Sequence, residues 1–206
     1  DAFFLSLKLG LVSATVATLL AVPAALAISR YEFPGRGALT GFLLSPLMIP
    51  SVVLGIAFLR FFSMAQIGGS FWALSITHVI VVLPYALRLT LASTIGLERD
   101  IEQAALSLGA RRWTAFYRVV LPRIRTGVIG GWMLAFIQSF DELTMTVFVA
   151  TPGTTTLPVA MYNQISQTID PLITAVSTVL ILGTLVLMLV LDRLVGLDRV
   201  LIGEGK

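Results

Sequence analysis

Five stretches of this chain are each long and apolar enough to cross a lipid bilayer: residues 3–29, 38–62, 71–96, 124–150 and 172–191. About 20 apolar residues in a helix match the hydrocarbon thickness of a membrane. In lipid, only a helix satisfies every backbone polar group along such a run. An all-α integral membrane protein is therefore predicted, with the lipid bilayer as its first partner. Charged residues make up 12% of the chain, against about 25% in soluble domains. The net charge of +3 does not point to nucleic acid, because the basic residues follow topology. No cysteine is present, which excludes disulfides. Pro46 and Pro50 should kink or interrupt the second stretch.

Lys and Arg orient the spans. Residues 30–37 hold Arg30 and Arg36; residues 97–123 hold Arg99, Arg111, Arg112, Arg118 and Arg123; the tail holds Arg193, Arg199 and Lys206. The alternate loops, 64–70 and 151–171, hold none. This places Asp1 outside, the loop at 97–123 in the cytoplasm and the C-terminus in the cytoplasm. Lys8 and Arg60, near outer ends, are expected to snorkel. An odd span count that starts outside calls for either a cleaved signal or a missing preceding span, and the missing span, giving five of six, is the expectation. No linker divides the chain, and residues 1–206 read as one domain.

The loop at 97–123 is the polar exception. Glu98, Asp100 and Glu102 suit the first turns of a helix, where the dipole favours acids. Ile101, Ala104, Ala105 and Leu108 recur at helical spacing, and Gly109 suits a C-terminal stop. A second short helix is expected over 111–120, with Trp113, Phe116 and Tyr117. Pattern alone leaves two readings open. One is an interfacial helix packed under the bundle; the other is a docking element for a soluble protein.

The spacing in that loop resembles the signature of importer-type ABC permeases: Glu-Ala-Ala, three residues, Gly, nine residues, Ile, one residue, Leu-Pro. Here Gln103-Ala104-Ala105, Gly109, Val119 and Leu121-Pro122 stand at matching intervals. Gln103 replaces the usual Glu, with Glu102 beside it. The resemblance implies a coupling helix formed by Glu102, Gln103, Ala104, Ala105, Leu108, Gly109, Arg111 and Arg112, seated on an ATPase subunit. Ser139-Phe140-Asp141-Glu142-Leu143, Pro152-Gly153 and Leu157-Pro158-Val159-Ala160-Met161-Tyr162 are similar to the second permease subunit of spermidine/putrescine importers. Arg30 to Gly37, His78 and Leu83-Pro84-Tyr85 also fit. What this implies is a permease of the bacterial inner membrane, paired with a homologous permease subunit. Two cytoplasmic ABC ATPase subunits and an extracellular or periplasmic substrate-binding protein complete the assembly. Permeases for iron, aminoethylphosphonate, opines and amino-acid-like solutes share much of the pattern. The chain has no Gly-rich Lys-Ser/Thr phosphate loop. ATP-Mg is thus expected on the partner ATPases, and no catalytic residue, cofactor or metal on this chain.

Asp141 and Glu142 fall inside the fourth stretch, where a carboxylate costs roughly 2.5–3.5 kcal/mol at the bilayer centre. As helix, Gln138 with Glu142 and Asp141 with Thr144 would form one polar stripe. Two readings follow: a cation site on the translocation path, or a bond to a neighbouring subunit. Trp72 is read as an interfacial anchor or part of the outer mouth. His78 is expected to hydrogen-bond a neighbouring helix. Gly37 with Gly41, and Gly127 with Gly131, have the small-residue spacing of close helix crossings. The loop 151–171 is expected to form a short re-entrant or surface helix. The rival to an ABC permease is an ATPase-independent channel or proton-coupled carrier, with the acids as its relay.

Overall fold

The structure is a computed structural model, and it describes residues 1–95, 99–167 and 171–195. Among these residues the fold is all-helical. The helices are α1 (Ala2–Arg30), α2 (Arg36–Leu44), α3 (Ser51–Met64), α4 (Phe71–Ile95), α5 (Arg99–Ser107), α6 (Arg112–Ala115), α7 (Leu121–Phe140), α8 (Thr146–Val149), α9 (Leu157–Gln167) and α10 (Pro171–Val195). The expectations for Glu98, Arg199 and Lys206 lie outside the described residues.

The core is a three-helix stack of α1, α4 and α7. Its cause is a seam of small residues. On α1, Gly10, Ala14, Ala17, Ala21 and Ala25 are buried at three- to four-residue intervals. They meet Val82, Ala86 and Leu87 of α4 and Ala135 of α7. In lipid, the tails are as apolar as the side chains, so close van der Waals approach drives association rather than hydrophobic transfer. Gly127 and Gly131 provide that approach, as their spacing predicts. A Cβ on Gly131 would lie 2.9 Å from the Ala86 carbonyl oxygen, and one on Gly127 would lie 2.6 Å from that of Leu89. Gly37 and Gly41 do not behave this way: both are exposed, with nothing within 4 Å of an added Cβ. Trp132 Nε1 adds one polar tie, donating to Thr15 Oγ1 at 3.0 Å, a bond worth about 0.6 kcal/mol on average between membrane helices.

The second stretch is interrupted, as its prolines predict. Its halves, Arg36–Leu47 and Ser51–Met64, meet at 98°. Pro50 stands at the break with φ −55° and ψ 133°; it has no N–H to continue a ladder and disfavours helix in the residue before it.

The fourth stretch differs from the expected 124–150 at both ends. The second short helix of the loop and the span form one rod, Arg112–Phe140. Pro122 does not divide it, because a π-helical turn over Phe116–Val120 precedes it. Leu121 N–H reaches back five residues to the Phe116 carbonyl, and this wider turn accommodates the proline ring. The rod then stops at Phe140, ten residues short. Asp141 and Glu142 therefore lie in a non-helical segment, and the polar stripe expected from helical spacing does not form. After α8, the loop at 151–171 carries the expected short helix, α9. Leu157 N–H at its start donates to Ser6 Oγ of α1 at 2.7 Å. Helix α10 supplies the last stretch.

Candidate functional site

Two places carry polar residues that the apolar scaffold does not require. They lie at opposite ends of the α7 rod.

At one end is α5. Gly109 terminates it in the left-handed conformation, φ +87°. Ala110 N–H bonds to the Ala105 carbonyl at 3.1 Å and Gly109 N–H to that of Leu106 at 3.0 Å. This paired closure is the Schellman arrangement, which favours glycine at the left-handed position. Glycine's freedom is used for the stop rather than for packing, since an added Cβ there meets nothing. Ile101 and Ala105 are half-buried, whereas Gln103, Ala104 and Leu108 face outward with Arg111 and Arg112. Leu108 is 89% exposed. The expected apolar face is thus only half-covered, and the half with Ala104 and Leu108 has no cover from this chain. A sequence reading does not find the tie beneath it. Arg30, at the end of α1, donates through Nη1 to Glu102 Oε2 as an ion pair. The two residues are 72 positions apart. The acid beside Gln103 is therefore engaged within the chain. Next in the chain, Trp113, Phe116 and Tyr117 form an aromatic cluster, with Trp113 stacked on Tyr117 at 6.3 Å.

At the other end is the segment after Phe140. The helix ends because a side chain competes for the backbone. Glu142 Oε1 accepts the Met145 N–H at 2.7 Å, closing a local turn in place of the helical ladder. Glu142 is 7% exposed and Met145 is fully buried. Asp141 and Thr144 point outward, and Gln138 is half-buried on the last turn of α7. The two acids are thus sorted: Glu142 caps a turn, and Asp141 presents a carboxylate. Trp72 is 69% exposed at the start of α4, and its ring contact is edge-on to Phe71.

His78 of α4 holds this segment, and the expected bond to a neighbouring helix is present twice. Its Nδ1 lies 2.8 Å from Ser139 Oγ, just before the break. Its Nε2 lies 3.0 Å from Thr146 Oγ1, just after it. From α3, Gly55 closes the other side: an added Cβ would sit 3.1 Å from Met145 Cα and 2.7 Å from the Phe148 ring. Gly55 was not legible as a contact residue, since an isolated glycine in an apolar run carries no partner information. Lys8 has its ammonium 4.7 Å from the Phe71 ring centroid, a cation–π contact rather than simple snorkelling.

The family model described as binding-protein-dependent transport system inner membrane component matches residues 17–197. The spermidine/putrescine transport system permease protein PotC of Escherichia coli (strain K12) is 31% identical over 194 residues, which is 94% of this chain and 73% of that protein. The putrescine transport system permease protein PotI of the same strain is 34% identical, over 87% of this chain and 66% of that protein. A putative 2-aminoethylphosphonate transport system permease protein, PhnV of Salmonella paratyphi A, is 32% identical over 94% of this chain and 74% of its own length.

Proposed function

The chain belongs to the inner-membrane component family of binding-protein-dependent transport systems; from that premise we propose that it is the permease subunit of an ATP-driven importer of polyamines such as spermidine and putrescine. That it is a non-catalytic permease subunit of an ABC importer follows from the family; the cargo is our reading. The observation that carries it is the similarity to PotC over 94% of the chain, together with one presented carboxylate, Asp141, at a break in the α7 rod. A polyamine is a chain of separated ammonium groups. An ammonium about 4 Å from a carboxylate gains roughly 4 kcal/mol of gross Coulomb energy at an effective dielectric near 20. Gln138 and Thr144, three residues before and after it in sequence, carry hydrogen-bonding side chains, and Trp72 is a candidate aromatic face for a cation.

The mechanism follows from the two ends of the rod. A homologous permease subunit forms the other wall of the pathway, and a substrate-binding protein delivers the cargo on the face that carries α9. On the cytoplasmic face, α5 seats in a cleft of an ATPase subunit holding ATP-Mg. Ala104 and Leu108 supply the contact surface there, with half-buried Ala105 behind them, and Gly109 supplies the sharp stop. Arg111 and Arg112 supply charge. Movement of α5 reaches α1 through the Glu102–Arg30 pair and α7 through the continuous rod beginning at Arg112. The bundle then alternates between outward- and inward-facing states. The C-terminus lies in the cytoplasm on this reading.

A second reading has a specific observation behind it. The similarity to PhnV favours 2-aminoethylphosphonate, which also carries an ammonium group. Radiolabelled spermidine uptake by cells lacking their own polyamine importers, expressing this permease with its partners, separates the two. Uptake that unlabelled putrescine suppresses and 2-aminoethylphosphonate does not is the expected result. Absence of spermidine uptake with retained 2-aminoethylphosphonate uptake overturns the polyamine reading.

A further inference from the structure

We infer that His78 is the positioning residue that fixes the break after α7, and thereby the place from which Asp141 presents its carboxylate. Its bearing on transport rests on the cation reading above; its bearing on the shape of the segment does not.

A broken membrane helix lacks ladder partners for its backbone. Past Phe140 the backbone leaves the helical ladder, and polar groups at membrane depth need partners from the protein. Asp141 N–H finds the Ile137 carbonyl at 3.0 Å, and Met145 N–H finds Glu142. These are local bonds that leave the direction of the segment free. Among the described residues, His78 is the side chain whose hydrogen bonds tie both flanks to another helix. Its two nitrogens reach Ser139 at 2.8 Å and Thr146 at 3.0 Å. A neutral imidazole has one donor and one acceptor, and each hydroxyl can play either role. The chain Ser139–His78–Thr146 is therefore satisfied in either tautomer.

The imidazole is a rigid ring, so it sets the gap between the two hydroxyls like a strut. His78, Ser139 and Thr146 are each at most 2% exposed, so water does not compete for these bonds. Between the tied ends, Glu142 and Met145 turn inward and Asp141 and Thr144 turn outward. Gly55 supports the inward side from α3. Remove the strut, and the segment loses both side-chain hydrogen bonds that hold it to α4 among the described residues.

The test uses the absence of cysteine from these 206 residues. Asp141→Cys is introduced into the complete importer, with cysteine-free partners, in proteoliposomes. Its reaction rate with a small cationic thiol reagent is measured with His78 intact and with His78→Leu. The reagent rate is expected to change severalfold, since displacement by about 1 Å alters reactive geometry strongly. His78→Gln, which keeps a donor and an acceptor, is expected to restore much of the original rate. In the importer that retains Asp141, His78→Leu should raise the KM for spermidine roughly tenfold and leave kcat within about twofold. A reagent rate indifferent to His78→Leu overturns the inference. If that variant does not assemble, Ser139→Ala and Thr146→Ala each remove one arm, and an unchanged rate in both overturns it equally. An unchanged KM in Asp141→Asn removes the cation reading alone; the reagent rate still decides the role of His78.

Discussion

Two of the apolar stretches are broken within the described residues, at α2–α3 and at α7–α8, and the breaks are built differently. Between α2 and α3 the chain turns by 98° at Pro46 to Pro50, and the cause is covalent. The prolines forbid the ladder whatever surrounds them, and Met48, Ile49 and Pro50 are exposed. Between α7 and α8 no proline is present. The cause is a buried set of side chains: Glu142 on Met145, His78 on Ser139 and Thr146, and Gly55 beneath. A proline break needs no neighbours. A break held by side chains inherits its geometry from α3 and α4, so it senses where those helices are. The second kind suits a site that must change with the state of the bundle.

That contrast can be broken most forcefully at Gly55. Gly55→Leu drives a side chain into Met145 and Phe148, and overpacking of this kind costs about 1–3 kcal/mol or more. Thermal unfolding of the purified complex should fall accordingly, and spermidine uptake should be lost. Next comes Glu142→Leu, which removes the acceptor for a buried N–H at a cost of about 1–3 kcal/mol. Glu142→Gln keeps a side-chain oxygen and should recover most of that stability in the same unfolding measurement. A smaller effect is expected at the far end of the rod. Arg30→Gln and Glu102→Gln, combined in a double-mutant cycle, should report a coupling of about 1 kcal/mol. Their signature should be ATPase activity less well linked to uptake, with the KM for spermidine unchanged. The smallest effect belongs to the proline break: Pro50→Ala should change stability by no more than about 0.5 kcal/mol, since the exposed turn loses no partner. A Pro50→Ala loss as large as that of Glu142→Leu would erase the distinction between the two breaks.

The same contrast explains what the sequence could convey. Pro46 and Pro50 announce their break locally, as Gly109 announces the end of α5 and the apolar runs announce α1 and α4. The spacing of Gly127 and Gly131 gave a true close crossing, but the same spacing at Gly37 and Gly41 gave none. A small residue permits approach without naming a partner. The end of α7 was hidden because residues 124–150, with only Asp141 and Glu142 as acids among them, are apolar enough to read as one span. What stops the helix is the direction Glu142 takes and the reach of His78 from another helix. The Arg30–Glu102 pair is hidden for the same reason, as it joins residues 72 positions apart. The candidate acids were legible as costly and therefore purposeful. Their division of labour was not, because it depends on burial: Glu142 turns in and Asp141 turns out.

The central claim is that the presented carboxylate of Asp141 binds a cationic cargo on its way through this permease. Initial rates of spermidine uptake by the complete importer, with Asp141→Asn against the unaltered chain, test it most directly. Loss of a charge-assisted contact worth about 1.5–3 kcal/mol corresponds to a KM raised roughly 10- to 100-fold. Assembly with the ATPase subunits should be unchanged. A KM for spermidine that stays the same in Asp141→Asn contradicts the claim.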